Sequence, residues 1–401
     1  MIANIVTPFS KEDLIPLEEK LEVKTNVINY FTIGIPKETH IQEKRVLLTP
    51  DAVSFLVNNG HKVIIESGAG LNSHYSDSNY SSAGAKIVYN PKEAFKQQII
   101  AKIMPPTIEE IELLQPKSFL ISSLLINSKN SAYFKALSQK KITAIGFEYI
   151  KDEMGHLTVS NLISEIAGTA SILIASELLF THNNGNGLLL GGVTGVRPTE
   201  IVIIGCGTVG LYACKAALGL GASVKVFDNS LSKLRQFQDK IGSRIFTSII
   251  DPKELQKALM RCDVAIGAVK SKGRTPIIIS EEMVMRMKPG SIIMDLSVGN
   301  GGCFETSEIT THQNPTFVKH NVIHYGVTNI TSIVARTTTK ALSNFFLQYL
   351  NSFTNETDLN IAVKKNSSLV SGIYLYNGYL TKKELGILFG LPCVDVNLLT
   401  P

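Results

Sequence analysis

One short run constrains the fold of this chain more than any other. In Glu200-Ile201-Val202-Ile203-Ile204-Gly205-Cys206-Gly207-Thr208-Val209-Gly210, a β-branched strand runs straight into G-x-G-x-x-G, and Leu211 to Leu220 continue as a helix. The spacing has a physical meaning. Gly205 permits a tight turn, Gly207 lets backbone approach a pyrophosphate, and Gly210 lets helix and strand pack closely. Phosphates would then lie on the helix N-terminus, where free N–H groups and the dipole favour negative charge. The following strand, Ser223 to Phe227, ends in Asp228, about 20 residues on, where a carboxylate can accept both ribose hydroxyls. That acid would repel a 2′-phosphate, so NAD is expected over NADP, with Lys233 and Arg235 nearby as a counterweight.

The rest of the chain reads as α/β. Thr32 to Ile35 predicts a buried strand. Thr49 and Pro50 predict a capped helix start, and Gly60 its end before a strand over His61 to Glu66. Further strands are expected at Ile99 to Met104 and Phe119 to Leu125. Helical spacing covers Ser164 to Phe180, ended by the Asn183 to Gly187 cluster, and again Ser332 to Tyr349, followed by a polar loop over Asn351 to Thr357. Two long helices flanking a central α/β block predict a fold of two Rossmann-like domains, one inserted into the other. The division expected is a leader at 1–31, with a plausible helix near Pro16 to Glu22, a discontinuous substrate domain at 32–163 and 331–401, and a nucleotide domain at 164–330.

Composition narrows the function. Hydrophobic residues make up 44% and charged residues 18%, which fits a globular cytoplasmic protein. The net charge of +5 is spread without a basic stripe, so nucleic acid is not an expected partner. Cys206, Cys214, Cys262, Cys303 and Cys393 show no CxxC or Cys/His ligand spacing, which supports neither a zinc site nor a disulfide framework and predicts reduced thiols. No secretory pattern opens the chain, and the apolar run Ile166 to Ser176 is too short to span a bilayer. His61, His74, His312, His320 and His324 read as structural, and His40, His156 and His182 as solvent-facing.

A wider set of motifs resembles alanine dehydrogenase and the soluble NAD-binding part of proton-translocating transhydrogenase. It includes Ile33-Gly34-Ile35-Pro36-Lys37-Glu38, Glu43-Lys44-Arg45-Val46, Glu66-Ser67-Gly68-Ala69-Gly70, Ser164-Glu165-Ile166-Ala167-Gly168, Met287-Lys288-Pro289-Gly290-Ser291 and Gly301-Gly302-Cys303-Phe304-Glu305. His324-Tyr325-Gly326-Val327-Thr328-Asn329 and Gly390-Leu391-Pro392 look closer to alanine dehydrogenase. The resemblance implies an active site in the cleft between two domains, and a homo-oligomer, typically a hexamer.

Carried over position by position, the resemblance implies that Arg45 holds a substrate carboxylate. It implies that Ser164, Thr208, Val209, Asp228 and Lys233 contact adenosine and pyrophosphate, and that Val269, Val298 and Asn329 lie near the nicotinamide or its ribose. The family's substrate lysine, catalytic histidine and catalytic aspartate fall on Met104, Leu125 and Gly299. Lys102, two residues before Met104 and on its face if the segment is a strand, is the candidate for proton transfer. The usual Asn-Met-Pro is here Asn329-Ile330-Thr331. Random erosion would have damaged the fingerprint too, yet its glycines and Asp228 are intact.

Three functions are therefore in view. One is an alanine dehydrogenase-like oxidoreductase moving hydride between NAD(H) and a small amino or keto acid. Another is a catalytically silent NAD(H)-binding sensor or partner subunit. The third is a transhydrogenase-type nucleotide-binding subunit, against which stand the lack of a membrane segment and the C-terminal pattern.

Overall fold

The computed structural model describes residues 30–399 apart from Lys272, Thr354, Asn355 and Thr357. The helix expected near Pro16 to Glu22 lies outside the described residues. Six short strands come first: β1 (Thr32–Ile35), β2 (Lys62–Glu66), β3 (Lys86–Val88), β4 (Ile99–Ala101), β5 (Phe119–Ser122) and β6 (Thr143–Gly146). Then come β7 (Glu200–Ile204), β8 (Ser223–Phe227), β9 (Phe246–Ser248), β10 (Val264–Gly267), β11 (Ile292–Asp295), β12 (Thr316–Lys319) and β13 (Val322–Tyr325). Near the end lie β14 (Ile373–Tyr376) and β15 (Tyr379–Leu380).

These strands form two sheets. The first runs β15-β14-β6-β5-β4-β1-β2-β3 and the second β12-β13-β11-β10-β7-β8-β9. Each contains the doubly wound order in which the chain reverses beside its first strand, leaving a crevice at the carboxyl ends. Only the edges break the parallel pattern: β14 runs antiparallel to β6, β15 to β14, and β12 to β13. Covering on both faces explains the composition of the central strands, since Ile201 to Ile204 are all fully buried.

The inserted arrangement is visible in the connections. β14 and β15 return to the first sheet after the whole second sheet has been made. The helix Ala335–Ser352 joins them, and its Leu342, Phe346 and Leu350 enter the first core, where Phe346 packs on Phe147 with ring centroids 4.9 Å apart. Phe31, counted with the leader in the sequence reading, is also buried there and packs edge-on against Phe353.

The helix expected from Ser164 begins six residues earlier, spanning Thr158–Leu178. Its first turns (Val159, Leu162, Ile163) pack in the first core, and its later turns (Ala167, Ala170, Ile172, Ala175) in the second. It is long and apolar enough to cross a membrane by length and composition, beyond what the Ile166 to Ser176 run suggests. Here those apolar residues serve two protein cores.

Two expected strands are shorter than the pattern predicts. β4 stops at Ala101 because Glu38 takes over the next backbone donors, accepting from Ile103 N at 2.6 Å and Met104 N at 3.4 Å. The alternation invoked for Lys102 and Met104 therefore does not extend to Met104. β5 stops at Ser122, and the chain turns through Leu125 at φ 48°.

Phe346→Ala should cost about 3–5 kcal/mol through the cavity it leaves. Urea denaturation should show the loss, while Leu398→Ala, at a position 78% exposed, should leave the midpoint unchanged.

Candidate functional site in the interdomain cleft

The three fingerprint glycines are required for three different reasons. Gly205 has φ 111°, and a Cβ there would lie 2.5 Å from the Ala268 carbonyl oxygen. A Cβ on Gly210 would lie 2.1 Å from the carbonyl oxygen of Gly205. Gly207 differs: its backbone is extended at φ −78°, and its Cβ would meet nothing nearer than Ala268 O at 3.9 Å. Nothing within the protein demands glycine there. The open space suits a ligand that must come close to the backbone.

No side chain caps the helix Thr208–Gly219, so its first N–H groups remain available to an anion. Thr208 Oγ1 donates to Asn161 Oδ1 at 3.1 Å, which places the fingerprint beside the first turns of the Thr158–Leu178 helix, where Ser164 is half-buried. Asp228 closes the turn from the other side, its carboxylate accepting from Cys206 N at 2.8 Å and Ser230 N at 2.9 Å. Val209 is half-buried behind the turn, and Lys233 and Arg235 are exposed beyond it. Burial, and then the Asp228 charge, push the Cys206 thiol up to about 12, which disfavours the thiolate. The five cysteines are all free, with Cys214, Cys262 and Cys303 buried. No group of His, Cys, Asp or Glu suited to a metal occurs among the described residues.

The carboxyl ends of β10, β11 and β13 bring the remaining positions expected near the cofactor to the same crevice. Val269 follows β10, Val298 begins the turn Val298–Asn300 after β11, and Asn329 follows β13. The last two loops touch, since a Cβ on Gly299 would lie 3.6 Å from the Thr328 methyl. Asp295, 1% exposed at the end of β11, holds the Ser297–Cys303 loop by accepting from Ser297 N (2.9 Å), Ser297 Oγ (2.5 Å) and Cys303 N (2.9 Å). Ser307 Oγ adds a fourth donor at 2.6 Å.

Across the crevice, Arg45 is 7% exposed and already paired. Its Nε donates to Glu43 Oε1 at 2.7 Å, Nη2 to Glu43 Oε2 at 2.5 Å and Nη1 to Thr331 Oγ1 at 2.9 Å. Of the five guanidinium N–H groups, one on each terminal nitrogen is left. Glu43 offsets the charge, and Thr331, part of the altered Asn329-Ile330-Thr331 run, fixes the orientation.

Lys102 stands apart from this. It is 1% exposed, with Nζ 3.1 Å from Glu110 and 3.4 Å from Glu38. Expected near the site for proton transfer, it has its ammonium held between the Glu110 and Glu38 carboxyl groups. Met104 is half-buried, Leu125 is 42% exposed and Gly299 is exposed, so none supplies a titrating group. Leu125 keeps its left-handed backbone because Glu148 accepts from both Leu124 N and Leu125 N at 2.9 Å. Asp295 and Glu148 carry no mark in the sequence, and Glu38, Glu43 and Thr331 appear there only as members of motifs, without a role of their own.

Two measurements probe this geometry. Gly207→Ala should leave unfolding within about 1 kcal/mol of the parent, with dinucleotide affinity in calorimetric titration at least tenfold weaker, whereas Gly210→Ala should cost about 1–3 kcal/mol through backbone displacement. The Glu38 carboxyl is lifted by burial to about 7 against the pull of Lys102. The folded chain then binds a proton that the unfolded chain has released, so stability falls as pH rises from 4.5 through 7. Urea midpoints should decline over that window, by at most about 1.4 kcal/mol per pH unit, and Glu38→Gln should flatten the decline.

Comparison with known proteins agrees over nearly the whole described chain. The family description "Alanine dehydrogenase/PNT, N-terminal domain" matches residues 34–167, and "Alanine dehydrogenase/PNT, C-terminal domain" matches residues 171–383. Alanine dehydrogenase of Methanococcus maripaludis is 40% identical over 90% of this chain and 97% of its own. That of Bacillus subtilis is 39% identical over 87% and 92%. A solved L-alanine dehydrogenase superposes with a TM-score of 0.83 at 35% identity, covering 90% of this chain and 99% of that one. The transhydrogenase of Sinorhizobium meliloti shares the fold, with a TM-score of 0.74 at 22% identity over 88% and 99%. On this agreement of sequence and fold, with the alanine dehydrogenases more similar than the transhydrogenase, the chain belongs to the alanine dehydrogenase/PNT family.

Proposed function

We propose that the chain is an alanine dehydrogenase-like oxidoreductase that binds NAD(H) in the second domain and a small amino or keto acid against Arg45 in the cleft. The observation that carries this is the pairing of an open approach over Gly207, beside Asp228, with a guanidinium across the crevice that retains an N–H on each terminal nitrogen. Adenosine would rest by Asp228, the pyrophosphate on the uncapped helix at Thr208, and the far end near Val269, Val298 and Asn329. When bound, the nicotinamide supplies the hydride donor or acceptor. Arg45 orients the carboxylate, held in place by Glu43 and Thr331, and Asp295 keeps the Ser297–Cys303 loop rigid beside it. Proton movement falls to water, because Lys102 is committed elsewhere. A cytoplasmic homo-hexamer, and the domain limits 32–163 with 331–401 and 164–330, belong to the same reading.

A second reading is a silent NAD(H)-binding subunit, favoured by the absence of a titrating side chain at Met104, Leu125 and Gly299. The backbone at two of these positions would still accept the residues the resemblance implies. Leu125 occupies the left-handed region in which His is enriched, and Gly299 has φ outside it and room for a Cβ.

A steady-state assay with NAD and a panel of L-amino acids, following NADH absorbance, separates the two. Slow turnover of alanine or a close analogue is expected, and NADH binding without turnover of any amino or keto acid would establish the silent reading. Met104→Lys combined with Leu125→His and Gly299→Asp should raise turnover by at least the 10²–10⁴-fold typical of one restored acid–base group.

A further inference from the structure

The crevice holds one imidazole that the mechanism does not use. His312 Nε2 lies 2.9 Å from Asn329 Oδ1, and Asn329 Nδ2 donates to the Gln42 carbonyl at 2.8 Å. The second contact fixes the carboxamide, so its oxygen faces the ring and His312 must donate through Nε2–H. The circuit is closed by His312 N, which donates to Gln42 Oε1 at 2.8 Å. Gln42 belongs to the segment that leads to Glu43 and Arg45 in the first domain, while His312 and Asn329 flank β12 and β13 in the second. The remaining ring nitrogen, Nδ1, is buried without a hydrogen-bond partner.

We propose that His312 is a positioning residue for the nicotinamide end of the dinucleotide, orienting the Asn329 carboxamide and, through Gln42, tying the Arg45 segment to the nucleotide domain. The inference rests on the NAD(H) reading given above. With Nε2–H engaged, the neutral ring carries its lone pair on Nδ1. Burial holds its pKa below the usual histidine value, against the raising effect of Asn329, and the neighbouring charges are Lys44, which lowers it, and Glu43, which raises it. A neutral imidazole in a fixed tautomer suits a residue that holds one amide in one orientation.

The test uses two side chains with the same amide and different reach. The Gln amide nitrogen superposes on imidazole Nε2, whereas that of Asn falls at Nδ1, short of Asn329. His312→Asn should weaken NADH binding, read by nicotinamide fluorescence, at least tenfold, with ADP-ribose binding by calorimetry within twofold of the parent. His312→Gln should recover NADH binding to within a few fold, and His312→Phe, lacking a donor, should match His312→Asn. NADH binding unchanged in His312→Asn, or lost in parallel with ADP-ribose, would overturn the proposal and leave a structural histidine. If the unaltered protein bound neither ligand, the dinucleotide reading itself would fail, an outcome that the ADP-ribose control makes distinct.

Discussion

The carbonyl of Gly205 pressed against Gly210 is the contact on which the second domain turns. It brings the Thr208–Gly219 helix down on β7 so closely that no Cβ fits between. With the helix there, its uncapped end faces the crevice and Asp228 comes within reach of the Cys206 amide. The neighbouring strand is bound into the same arrangement, since Ala268 O is the atom that forbids a side chain at Gly205. The open space over Gly207 is thus a by-product of backbone packing, and it does not depend on the side chains across the cleft.

That separation explains why the sequence was so unevenly legible. The strand–turn–helix run, the acid after β8 and the return of the C-terminal segment could be read because each depends on local spacing and hydrophobic pattern. The ends of β4 and β5 could not. They are set by carboxylates distant in sequence, Glu38 beside Met104 and Glu148 beside Leu125, which capture backbone donors that a strand would otherwise use. The setting of Lys102 was hidden for the same reason: strand alternation says where a side chain leaves the backbone, but not that Glu110 waits to receive it. Arg45 was found at once, yet its setting by Thr331, 286 residues away, has no local trace.

A pattern links these misses. Around the crevice, acidic side chains do structural work that elsewhere falls to strand pairing: Glu38, Glu148 and Asp295 each gather backbone N–H groups from a loop that must hold an irregular course. Such loops are costly to bury unless every donor finds a partner. The loops carrying Leu125 and Gly299 keep that support although their side chains carry no acid or base, so the scaffold of a reactive cleft persists independently of its reagents.

The Thr158–Leu178 helix has a mechanical consequence. It is a single rod seated in both cores, and among the described residues the chain crosses back between the sheets through the short turn Ile330–Val334. Melting either lobe strips packing from the rod and so loosens its neighbour. The two halves of the molecule therefore share their thermal fate.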